Sequence, residues 1–143
     1  MSATRAATVL LAAIVLLAAI VLAGCGLNVQ APDLFVITRS GQGSKLTELF
    51  NYAGTIRCNG GAVMQLPDPL LLQARDLAMS LDSDAKSKLR IAATPDSAYL
   101  YTVRLQDGTI TFPDTAGLEH PELARAEQLA LEAAQQGCGL RGQ

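Results

Sequence analysis

No charged residue occurs between positions 6 and 27, and this stretch divides the chain more firmly than any other feature. About 20 apolar residues suffice to cross the hydrocarbon of a bilayer, so the run is long enough to span one. It also has the layout of an export signal: Arg5 as the only early cation, an apolar middle from Ala6 to Leu22, then small residues. Under either reading Arg5 stays on the cytoplasmic side and everything after Cys25 is placed outside. The run also inflates the composition, which is 50% hydrophobic over the whole chain. Whatever folds in water must be built from the residues beyond it.

The run ends in Leu22-Ala23-Gly24-Cys25, which resembles the lipobox of bacterial lipoproteins. That resemblance implies cleavage before Cys25 and a diacylglyceryl group on its sulfur, with further palmitate-type acylation. Residues 1–24 are then a lipoprotein signal peptide, 25–33 a lipidated tether, and 34–143 one small domain on the extracytoplasmic face of the cell membrane. Each buried methylene contributes about 0.8 kcal/mol, so two or three acyl chains hold a domain far more firmly than one. A retained membrane helix over 6–27 is the alternative. With Cys25 acylated, Cys58 and Cys138 are left to pair, and a disulfide persists outside the cytoplasm. Closing so long a loop would be worth up to about 4 kcal/mol by chain entropy. Two free buried thiols are the competing reading. One histidine in the chain and no paired-cysteine spacing argue against a metal centre, and no cofactor is expected.

Beyond the tether, Leu34-Phe35-Val36-Ile37-Thr38 reads as a strand buried on both faces, because its apolar residues do not alternate. Lys45–Tyr52 suits either helix or strand; the β-rich Thr55–Cys58 after Ala53-Gly54 favours a hairpin, with Leu46, Phe50 and Tyr52 on one face. A helix follows, with Asp68 as N-cap and Pro69 at its first position, and an inward stripe of Leu70, Leu71, Ala74, Leu77, Ala78 and Leu81. Ser83–Ser97 is polar and reads as a loop, with at most a frayed turn near Lys86–Arg90. Ala98–Leu105 alternates, and Asp107-Gly108 predicts a type I′ turn into Thr109–Phe112. A last helix is expected over Pro121–Gln136, closed by Gly137 in a left-handed C-cap. The expected fold is α+β: an antiparallel sheet of about five strands with two helices on one face, in the order βββαββα.

The charges exclude more than they assign. All but one of the 11 Lys and Arg residues lie beyond the apolar run, with all 13 Asp and Glu. That mild acidity shows no basic stripe, so nucleic acid is not an expected partner. His120 stands alone beside Pro121, where a partly exposed cap residue is the plain reading. Ser40–Lys45 lacks the spacing of a phosphate loop, and Asp82-Ser83-Asp84 lacks the glycine and glutamate of a calcium loop. No catalytic constellation emerges, and the chain is read as a non-catalytic binding or accessory domain on a membrane anchor. Its partner would be a cell-surface protein or small ligand. Tyr99, Tyr101, Val63 and Met64 are the candidate recognition residues. The element order also vaguely resembles the subtilisin-inhibitor type of small secreted protein, which implies a protease inhibitor-like domain as the alternative. That family usually has a further disulfide this chain lacks, and no residue carries over.

Overall fold

The computed structural model describes residues 33–141. The expected signal peptide, Cys25 and the expected tether up to Pro32 lie outside the described residues. Six strands form one antiparallel sheet: β1 (Asp33–Gly41), β2 (Ser44–Asn51), β3 (Thr55–Cys58), β4 (Val63–Gln65), β5 (Leu100–Leu105) and β6 (Gly108–Pro113). Their order across the sheet is β4-β3-β2-β1-β5-β6. Three helices, α1 (Asp68–Ser80), α2 (Asp82–Ser87) and α3 (Pro121–Glu132), cover one face. The α+β class holds, with one more strand and one more helix than the sequence suggested.

The added strand is β4. The segment between Cys58 and Asp68, to which the sequence pattern assigns no element, pairs with β3 as Arg57↔Val63 and Ile56↔Met64. The added helix is α2, inside the expected loop. Its Ala85 is fully buried, and Lys88 closes it in a left-handed conformation (φ 56°). At the start of α1 the N-cap is Pro67, whose carbonyl accepts from Leu70 and Leu71. Asp68 therefore lies inside the first turn, where a carboxylate favours the helix dipole without capping a backbone N–H.

β1 is buried on one face only. Phe35, Ile37 and Arg39 point into the core, whereas Val36 and Thr38 are half-buried. The helices cover a single side, so even this central strand has an open one. On the covered side Phe35 meets Phe50 with ring centroids 4.9 Å apart, and Tyr101 stacks on Phe112 at 5.4 Å. The β2–β3 turn leaves Tyr52 exposed, not on the inward face with Leu46 and Phe50.

Two glycines have other duties than expected. Neither Asp107 nor Gly108 has positive φ; the type I′ pattern belongs to Gln42 (φ 49°) and Gly43 (φ 73°), between β1 and β2. Gly108 is needed for close approach, since a Cβ there would lie 2.0 Å from the Ala85 carbonyl oxygen. At the C-terminus, α3 runs into a π-helical turn over Ala133–Gly137. The left-handed residue is Gly139 (φ 66°), and the Leu140 N–H bonds back to the Ala134 carbonyl. Gly137 is buried, a Cβ's width from Ile56 and Leu66.

Cys58 and Cys138 form the disulfide, with Cα atoms 6.2 Å apart and within the usual range for a bridge. It fastens the end of the α3 turn to β3, which is an interior strand because β4 lies outside it. No helix among the described residues is long and apolar enough to cross a membrane.

Candidate binding faces

The four residues singled out for recognition do not meet. Tyr101 is 3% exposed beneath the helices. Tyr99, just before β5, is half-buried; its hydroxyl donates to Gln42 Oε1 at 3.2 Å, and the Arg39 guanidinium lies 4.9 Å from its ring centroid. Val63 and Met64 are exposed but sit on edge strand β4 and point to opposite faces. The tyrosines thus belong to the core and its rim, and only Val63 and Met64 present themselves to a partner.

Beneath the helices lies a polar cluster that the sequence reading passed over. Arg39 and Glu48 are the two buried charged residues among the described ones, the latter 1% exposed. Register places Ile37, Glu48 and Cys58 side by side on the inward face, with Arg39 one step further along β1. Both Glu48 carboxylate oxygens lack a hydrogen-bond partner. Burial pushes its pKa up to about 8, the Arg39 charge only partly opposing that. Glu127 on α3 is raised to about 7, by burial first and then by Asp114. Burial, and next the Glu127 charge, raises the Tyr101 hydroxyl to about 12. Strand alternation was the available signal, since Glu48 shares parity with Leu46 and Phe50. Arg39 and Glu48 are shut away from solvent, so they affect stability rather than ligand access.

The surface offers two larger features. One is an apolar groove of about 600 Å³ between α1 and the start of β1, lined by Leu34, Tyr52, Leu72, Ala78 and Met79. Arg75 closes one side, its Nη2 donating to the Tyr52 carbonyl at 2.8 Å and its guanidinium over the Tyr52 ring. Asp76 and Asp82 stand at the rim.

The other is the bare face of the sheet. Strand register aligns Thr47, Thr38, Thr102 and Thr111 in one row across β2, β1, β5 and β6. The Thr38 and Thr47 hydroxyls are 3.5 Å apart. Arg90 extends the row through a bridge to Thr111. In the adjacent row Arg57 and Arg104 flank Leu49 and Val36, and Lys45 lies beyond the threonines on β2. From Val36 onward the outward strand positions carry Lys45, Arg57 and Arg104 and no carboxylate. The three helices, by contrast, carry seven acidic residues against three basic ones. A chain without a basic run thus folds with four exposed cations, Lys45, Arg57, Arg90 and Arg104, on one face.

Among the described residues no group of His, Cys, Asp and Glu is placed to hold a metal. His120 stands at the N-terminus of α3, with Nδ1 3.2 Å from Glu122 Oε1. No protein-family model, curated protein or solved structure matches the chain.

Proposed function

We propose that the protein is an extracytoplasmic lipoprotein, anchored in the cell membrane through Cys25, whose domain binds without turnover. The lipobox-like Leu22–Cys25 supports the anchor. The observation that carries the binding role is the division of the sheet, one face sealed by helices and the other bare, hydroxyl-rich and cationic. An antiparallel sheet covered on one side leaves its other face in solvent, and here that face carries the cations and hydroxyls a partner could meet. The inhibitor-like alternative has no specific feature in its favour: Asn59–Pro67, the connection that could serve as a reactive loop, runs partly as edge strand β4.

The anchor is tested by the intact mass of the chain extracted from membranes with detergent, before and after reduction. A mass beginning at Cys25 with acyl chains added is the expected result. A mass beginning near Met1 without lipid would make residues 6–27 a retained span and end the lipoprotein reading.

A further inference from the structure

We propose that the bare sheet face docks on the anionic surface of the bilayer to which the chain is anchored, leaving the apolar α1 groove turned away from it. The inference rests on the anchored reading and adds an orientation and a second membrane contact. Its basis is charge complementarity. Arg57, Arg90, Arg104 and Lys45 are all exposed on one side of a molecule whose helical side is acidic. Strands are spaced about 4.8 Å apart, so Arg57 and Arg104 stand ~14 Å from each other and Arg90 a further ~10 Å on. The cations are therefore spread over a plane, as suits a plane of phosphates.

Relief favours a bilayer over a chain-like polyanion. A depression on this face, beside Val36, Thr38, Thr102, Arg104 and Thr109, has a volume of only about 220 Å³. The row of threonines between the cations offers hydroxyls to headgroup oxygens and nothing bulky to hold the surfaces apart. Each basic side chain near an anionic leaflet strengthens attachment roughly fivefold, so four give a free-domain affinity on the order of millimolar. A short tether supplies an effective concentration of the same order. Cys25 and Asp33 are separated by few enough residues that the domain stays within ~27 Å of its anchor. Docking is therefore effective on the tether and weak without it, and salt weakens it further.

The test uses the full chain recovered from membranes and placed in nanodiscs of phosphatidylglycerol with phosphatidylcholine, or of phosphatidylcholine alone, with a nitroxide on a fraction of the headgroups. Methyl NMR then reads which side meets the lipid. The expected result is broadening of the Thr38, Thr47, Thr102 and Thr111 methyls in anionic discs, with Met79 and Leu72 spared. That broadening should disappear in neutral discs, at about 0.5 M salt, and in R57E/R104E. If that pair does not fold, K45Q/R90Q replaces it. Threonine methyls that stay sharp while the chain co-elutes with anionic discs would overturn docking and leave the anchor standing. Broadening of Met79 and Leu72 instead would overturn it too, as would a soluble polyanion, heparin, engaging the threonine face more strongly than discs of equal charge. A chain that carries no lipid but is held in the discs by residues 6–27, its threonine methyls still broadened in anionic discs alone, would retain docking and overturn the lipid anchor.

Discussion

Glu48 is the more deeply buried of the two charged residues in the core. A carboxyl side chain with no hydrogen-bond partner, almost wholly buried, is less costly protonated than charged. Its pKa rises from 4.5 to about 8, so between those values the unfolded chain ionises while the folded one does not. Stability therefore falls as pH rises through that window, by up to ~1.4 kcal/mol per pH unit from this group. Glu127 acts in the same direction, up to about 7, with a smaller share because solvent reaches it. Glu48→Gln, which mimics the protonated form, should be near neutral at pH 5 and stabilise by ~2 kcal/mol near pH 8.5. Urea titrations at the two pH values decide it, and an unchanged pH slope would count against the assignment. Lys88 occupies a left-handed conformation that costs a side-chain-bearing residue about 1 kcal/mol. Lys88→Gly should return roughly that amount, read as a higher denaturation midpoint with an unchanged m-value.

Among the elements, α2 and the β5–β6 hairpin are locked together through a contact with no side chain in it. The Ala85 carbonyl rests where a Cβ of residue 108 would be, and backbone cannot rotate out of the way. Gly108→Ala should therefore cost ~3 kcal/mol, at the upper end of the usual overpacking range. Hydrogen exchange should rise first in α2 and β6; an unaffected hairpin would show that α2 is not docked. The contact also accounts for the dipeptide Asp107-Gly108, which has the composition of a type I′ turn and does not form one. Glycine satisfies two unrelated demands, positive φ and close approach, and local sequence cannot say which applies.

For the whole molecule, the Cys58–Cys138 bond closes 80 residues of chain and joins the last element to β3, one strand in from the sheet edge. Replacing both cysteines by alanine should lower stability by ~4 kcal/mol if the unfolded chain gains the entropy of that loop. A much smaller loss would mean the packing of Ala130, Ala133 and Ala134 already holds the C-terminal turn without it. The charge separation is also a property of this scale. Acidic helices on one side and a cationic sheet on the other orient the molecule in an external field although its overall balance is mildly acidic.

Periodicity, turn residues and cysteine number determined the α+β class, the position of most strands, α1 and α3, and which cysteines pair once Cys25 is set aside. These are local or combinatorial properties, and the chain carries them whatever it packs against. The exposed apolar residues of β4 had no periodic signal, because a three-residue edge strand owes its pairing to β3. α2 was hidden by polar composition, and only the contact beneath Ala85 justifies it. The bare cationic face was invisible for a deeper reason. Lys45, Arg57, Arg90 and Arg104 are 12, 33 and 14 positions apart along the chain, and strand register alone makes them neighbours. Tertiary structure likewise decided that Arg39 and Glu48 share the core, since alternation assigns a face but not whether helices will cover it.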